Sequence, residues 1–328
     1  MPRLSLVMKT VKTTSTNNLV YIGGLVMKNY LTDVPGIKVG HVSNHQAKTG
    51  CTVILTENGA TAGVDIRGDA PGTRETALLA PLKTVEQVHA VLLTGGSAFG
   101  LAAADGVMNA LEEQETGFDV GVTKVPIVPA AVIFDLEVGL SDIRPNQKMG
   151  YQAVQNASAG EQRTGAIGVG TGCTVGKLLG PQRSSASGLG SSTLQLNNNT
   201  YISALVAVNA FGDILDHQGN IIAGCKDEHG NFINTYQALQ TEEISGFAKN
   251  TTIGVVATNA QLSKTEANKI AQVAHNGYAN HIKPVHTMLD GDTIFALSTG
   301  QQEIDINLLA TAASEVMGQA IVNAIENV

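Results

Sequence analysis

The residue types that bear most directly on chemistry gather in the last third of the chain. Asn250-Thr251-Thr252 stands directly ahead of IGVVAT, an apolar β-branched run with the pattern of a buried strand. Thr is a favoured strand residue, so a plain strand start is one reading of Thr251 and Thr252. The chemical alternative is that the Thr251 hydroxyl attacks the carbonyl of Asn250 and forms an ester by N-to-O acyl shift. Hydrolysis then frees an N-terminal Thr whose α-amine, with a reference pKa of about 8, serves as base for its own hydroxyl. A mid-chain amide nitrogen has no such basicity.

A nucleophile of this kind needs polar groups to orient its amine and donors to hold an oxyanion. Asp290 and Asp292 flank Gly291 in MLDGDTIFALSTG, just before a second strand-like run, and a spacing of two puts both on one face of an extended segment. An ordinary Asp-Gly-Asp turn is the alternative. Asn209 is one amide inside the apolar run VAVNAFGD, where a buried polar group needs a partner or a purpose. Lys177 closes the Gly-rich stretch GAIGVGTGCTVGK; a solvated strand end is its simpler explanation.

Other motifs fail on inspection. GTGCTVGK lacks the first glycine and the Ser/Thr of a phosphate loop, having Thr171 and Leu178 there. GGSAFG resembles a nucleophile elbow but has Phe99 at the last glycine position. The eight histidines have no metal-ligand spacing; His281 and His286, five apart across a proline, read as surface or satisfied polar residues.

Composition sets the frame. With 43% hydrophobic and 15% charged residues among 328, the chain is globular, and 36 glycines with 9 prolines imply many tight turns. A net charge of −8 without a basic cluster argues against nucleic acid, leaving a small-molecule or peptide partner. Three scattered cysteines indicate neither a disulfide framework nor a zinc site and fit a reducing, cytoplasmic location. No stretch reads as the roughly 18 apolar residues of a membrane span.

The elements that must position these residues are legible in outline. Residues 1–30 read as a loose extension. β-branched runs at 51–56, 89–96, 125–136, 165–177 and 200–215 read as strands, 76–82 and 98–112 as helices, and 181–199 as a loop or edge hairpin. After residue 250 the order is β-α-β-α: a strand at 251–258, a helix opened by the capping box Ser263/Glu266, a strand at 293–299, and a helix through Leu308, Ala312, Val316 and Ala320. That alternation implies a sheet covered by helices, with a second sheet packed against it.

Taken together and in order, LTDVPGIKVGH, GVDIRGDAPGTRET, LLTGGSAFGLAAADGV, VPIVPAAVIFDL, GAIGVGTGCTVGK, ALVAVNAFGD, NTTIGVVATNA and DGDTIFALSTG resemble the self-cleaving N-terminal-nucleophile hydrolases of the DmpA type, peptidase family S58. The resemblance implies an α/β fold, an α-β-β-α sandwich of the DmpA/ornithine-acetyltransferase type. It implies one hydrolase domain over 31–328, autocleaved between Asn250 and Thr251 into 1–250 and 251–328, and a homo-oligomer, expected to be a tetramer. The Thr nucleophile with two Asp is most similar to the 6-aminohexanoate (nylon) oligomer endohydrolases. β-Aminopeptidase and L-aminopeptidase/D-amidase-esterase activity are the alternatives within the family. Capture of the acyl ester by an amine, as in ornithine acetyltransferases, is a further one, and an uncleaved ligand-binding protein is the rival outside enzymes. On this analogy Thr251 is the nucleophile, Asn209 forms part of the oxyanion hole, Lys177 lies in the site, and Asp290 and Asp292 orient the amine. Phe134 stands where some relatives carry a tyrosine and is expected to line the substrate without a hydroxyl. No metal or organic cofactor is implied.

Overall fold

The computed structural model describes residues 20–22, 25–240 and 250–328. The principal strands, in chain order, are β1 (Ile37–Asn44), β2 (Thr49–Ile66), β3 (Gln87–Thr94), β4 (Ala130–Val132), β5 (Leu189–Gln195), β6 (Tyr201–Asn209), β7 (Thr251–Ala260) and β8 (Thr293–Gln302). The principal helices are α1 (Ala103–Glu113), α2 (Gln147–Gln155), α3 (Lys264–His281) and α4 (Ile306–Glu326).

One hydrogen-bonded sheet runs β5-β6-β7-β8-β2-β3-β4, with β1 on β2. It folds over itself through β2. Residues Cys51–Leu55 of that strand pair with β3, the register shifts between Leu55 and Ala60, and Thr61–Ile66 pair with β8. The two sheet layers expected from sequence are thus halves of one sheet, joined by an irregular 18-residue strand.

Alternation along the strands builds three cores. Val206, Val256 and Ala296 face α3 and α4. Their neighbours Leu205, Val255 and Phe295 face the opposite layer, where they meet Val39, Ile54 and Leu93. Val53 and Leu92 turn outward onto Val107 of α1 and Val154 of α2. The result is a four-layer α-β-β-α sandwich, as expected.

Several local expectations are corrected. The 76–82 helix is a single 3-10 turn, Thr76–Leu79. The Gly-rich 165–177 stretch is mainly a 3-10 segment, Gly168–Gly172, followed by the two-residue strand Thr174–Val175. Gly168 sits at φ 53°, and a Cβ there would lie 2.2 Å from Thr52 Oγ1, so neither the backbone nor the space suits a regular strand. Of the two readings of 181–199, the hairpin holds for its second part: β5 pairs antiparallel with β6, and on its other side with Leu25–Lys28. Within the expected extension, Val20–Ile22 pairs with Leu25–Lys28; residues 1–19 lie outside the described residues. α4 is long and apolar enough to cross a membrane, contrary to the expectation that no stretch is, but it is a core helix with Val316, Met317, Ala320 and Ile321 buried against the sheet.

Candidate active site

Thr251 opens β7, and the register of the sheet decides what it meets. β6 and β7 pair antiparallel with Asn209 opposite Thr251, so the last residue of one strand lies beside the first of the other. β8 runs parallel to β7, which brings the segment leading into it, with Asp290 and Asp292, to the same end of the sheet. Asn250 forms a parallel bridge with Asp290.

The peptide before Thr251 is held on both sides. Asn250 N–H donates to the Leu289 carbonyl at 3.3 Å, and the Asn250 carbonyl accepts the Gly291 N–H at 3.0 Å. The Thr251 hydroxyl also donates to that carbonyl. A Cβ on Gly291 would lie 2.7 Å from the Ala70 carbonyl oxygen and 3.0 Å from Thr251 Oγ1, so a glycine is what lets the chain pass this close. The Arg67–Pro71 loop braces the far side, with the N–H groups of Arg67 and Ala70 donating to the carbonyls of Asp292 and Asp290.

The two carboxylates are both buried and take different partners. Asp292 Oδ1 accepts the Thr252 N–H at 2.8 Å, and its Oδ2 accepts from His286 Nδ1 at 2.8 Å. Asp290 Oδ2 accepts the Thr287 hydroxyl at 2.6 Å and the Thr287 N–H at 3.0 Å. Burial, and then the negative charge of Asp292, push the Asp290 carboxyl up to about 6, against the pull of the Thr287 donors. A turn closes from Thr287 to Asp290 just ahead of the pair, and Asp290 itself is bridged to Asn250.

Lys177 is not a solvated strand end. Its ammonium is buried, donates to Asn209 Oδ1 at 2.6 Å and to the Asn209 carbonyl at 3.1 Å, and is pulled down to about 8 by burial. With the Thr174 N–H also on Oδ1, the Asn209 amide has a fixed orientation, and its Nδ2 donates to the Phe134 carbonyl at 3.0 Å. Phe134 therefore serves Asn209 through its main chain, and its ring is half-buried.

Three groups that the sequence reading did not assign to the site complete the surroundings. Asp135 is buried, accepts from the Thr49 hydroxyl at 2.6 Å and the Gly96 N–H at 2.7 Å, and is raised by burial. His286 and Thr287 hold the carboxylates. Asp-Leu-Glu and Val-His-Thr carry no motif, and only the fold makes these contacts. His286 had been read with His281 as an ordinary surface or satisfied residue. His281 is instead buried with no partner for Nδ1 among the described residues, whereas His286 is satisfied at Nδ1 by Asp292 and lacks a partner only at Nε2 among them. Among the described residues, no group of three His, Cys, Asp or Glu could hold a metal.

A hydroxyl bonded to the carbonyl before it, that carbonyl held by a backbone N–H, a rigid amide and two buried carboxylates are groups of the kind that acyl transfer from an amide uses. The chain matches Peptidase family S58 over residues 29–327. It belongs to that family. An uncharacterized aminopeptidase of Mycobacterium leprae (strain TN) is 42% identical over 313 residues, covering 88% of this chain and 82% of that one. A 6-aminohexanoate-oligomer endohydrolase of Kocuria sp. (strain KY2) is 32% identical over 311 residues, covering 89% and 84%. Among solved structures, the L-aminopeptidase D-Ala-esterase/amidase of Ochrobactrum anthropi, described as a variant of the Ntn hydrolase fold, superposes with a TM-score of 0.68 at 18% identity, covering 93% and 88%. A Burkholderia sp. β-aminopeptidase gives 0.65 at 20%, covering 89% and 85%. This S58 member has the Ntn hydrolase fold and is a hydrolase of amide bonds.

Proposed function

We propose that this S58 chain is an autoprocessed N-terminal threonine amidohydrolase that cleaves amide bonds of short oligomers, such as 6-aminohexanoate oligomers or similar peptides, through an acyl-Thr251 ester. The observation that carries this reading is the Asn250 carbonyl, bonded at 3.0 Å by the Gly291 N–H and in contact with the hydroxyl of the residue that follows it.

In processing, Thr251 Oγ attacks the Asn250 carbonyl carbon and its proton passes to the departing Thr251 nitrogen, leaving an ester. The Gly291 N–H steadies the oxygen that becomes negative. Water then cleaves the ester to give the Asn250 carboxylate and a free Thr251 amine. In turnover that amine takes the Thr251 hydroxyl proton as Oγ attacks the substrate carbonyl. It returns the proton to the leaving amine, and water releases the acyl group. Asn209 Nδ2, oriented by Lys177, is the side-chain donor for the substrate oxyanion. Asp292 and Asp290 orient the Thr251 amine, and Asp290, raised to about 6, exchanges protons near neutral pH.

A second reading, aminopeptidase activity, draws support from the relative at 42% identity. The products separate the two: internal cleavage of a 6-aminohexanoate oligomer gives mixed lengths, whereas an aminopeptidase releases one N-terminal residue at a time. The family resemblance also favours a homo-oligomer, which light scattering measures directly.

Intact-mass spectrometry of fresh protein beside Thr251→Ala tests the core of the proposal. The wild type is expected as two species, 1–250 and 251–328, the smaller beginning TTIGVV, and the variant as one chain of 34.0 kDa. A wild type that stays whole after long incubation makes Thr251 an ordinary strand residue and returns the uncleaved binding protein as the better reading.

A further inference from the structure

In the turn leading to the carboxylate pair, two consecutive residues each grip one carboxylate. Thr287 holds Asp290 by hydroxyl and N–H, and His286 holds Asp292 by ring Nδ1 at 2.8 Å and N–H at 3.2 Å. Asp292 in turn reaches the Thr252 N–H, one residue past Thr251. His286 adopts φ 56°, a left-handed conformation unfavourable for a residue with a β-carbon and retained where the surroundings enforce it. Two side chains of α3 fix its ring, His275 edge-on at 4.9 Å between centroids and Tyr278 stacked at 6.1 Å. Its Nε2 has no hydrogen-bond partner among the described residues. Nδ1 faces a carboxylate, an acceptor, so Nδ1 carries the donated proton.

We propose that His286 is a positioning residue for the reaction, an inference that rests on Thr251 being the nucleophile. By donating to Asp292 Oδ2 it fixes the rotation of that carboxylate, so that Oδ1 meets the Thr252 N–H and Thr251 is held in register with the carboxylate pair. It acts through Asp292 and needs no contact with substrate. Small errors in such placement cost rate more than binding.

Two variants separate the ring's hydrogen bond from its backbone conformation. Asn and Gly both accept φ near 56°, but only His286→Asn keeps a side-chain N–H donor. The readouts are the rate of fragment appearance in freshly synthesised protein, followed by intact mass, and kcat and KM of cleaved protein on linear 6-aminohexanoate trimer. H286G is expected to cleave itself about 10–100-fold more slowly and to lose kcat by a similar factor, with KM within about twofold of wild type. H286N is expected within about threefold of wild type in both. Where the trimer is not turned over, the cleavage rate alone decides. An H286G that matches the wild type overturns the proposal. So do H286N and H286G equally slow, which assigns the effect to ring packing on α3. A wild type that never cleaves overturns the reading of Thr251 and this inference with it, whereas failure of the variants' prediction in a cleaving wild type overturns this inference alone.

Discussion

Asp290 carries the clearest consequence at the scale of single residues. Its carboxyl ionises near 3.8 in an unfolded chain and at about 6 when folded, raised first by burial and then by Asp292. The folded state therefore holds the proton to higher pH than the unfolded state, so the Asp290 contribution is most favourable below about 3.8 and is lost as pH rises through about 6. Asp290→Asn, which keeps the shape and removes the charge, is expected to raise stability at pH 8 by on the order of 1–3 kcal/mol. The lower end allows for an amide that must face the Thr287 donors. The gain should vanish near pH 4 and be accompanied by loss of hydrolysis. Denaturant titrations at the two pH values check this, and an equal effect at both removes ionisation as the cause. Thr251, Asn209, Lys177, Asp290 and Asp292 stood out in the sequence as polar residues set against apolar or Gly-rich runs, and the family resemblance supplied the roles expected of them. Asp135, His286 and Thr287 did not stand out in this way. The bond from Thr49 to Asp135 spans 86 residues, and the grips on Asp290 and Asp292 depend on a turn whose left-handed residue is a histidine rather than a glycine.

At the scale of elements, β7, α3, β8 and α4 were legible because periodicity and capping agree with the packing. Ser263 and Glu266 form the capping box expected of them. Lys264, the first residue of the helix, looks misplaced by local rules, since a cation in the first turn opposes the helix dipole. Its reason is tertiary: buried, it donates to the carbonyls of Leu78, Lys83 and Val85 at 3.1, 2.8 and 3.0 Å, fastening α3 to a loop nearly two hundred residues earlier. Lys264→Met keeps the stem and leaves three carbonyls without their donor. It is expected to destabilise the fold by about 2–4 kcal/mol, read from the denaturant midpoint. A change under about 0.5 kcal/mol would mean those carbonyls find water instead. β5 was only half legible, for a related reason. Its run of Gly, Ser and Thr leaves loop and edge hairpin both open, and what decides for the strand is tertiary: Ser191 donates to the Ala204 carbonyl and Thr193 shares a hydrogen bond with Ser203. Gly190 lets α4 approach so closely that a Cβ there would lie 2.0 Å from the Ala320 carbonyl oxygen. The close helix requires the glycine, and the hydroxyls find their partners on β6, neither of which a local pattern records.

For the whole molecule, the proposed cleavage point lies at the N-terminal end of a strand in the middle of the sheet. Residues 251–328 supply β7, α3, β8 and α4, while β6 and β2, which flank β7 and β8, belong to 1–250. β7 keeps eight register pairs with β6, from Ile202–Thr258 to Asn209–Thr251, and β8 keeps six with β2. The same split runs through two of the cores, where Val206 and Val208 meet α3 and α4 on one face and Ile253, Val255 and Phe295 meet Ile54 and Leu93 on the other. Breaking one peptide bond removes none of these contacts, and separating the pieces would expose two strand edges and both apolar faces at once. Cleaved protein is therefore expected to elute from gel filtration at the same volume as Thr251→Ala, with both fragments in the same peak, and to yield separate pieces only in denaturant. A smaller fragment eluting alone in native buffer would mean that the ladders and cores do not hold without the covalent link.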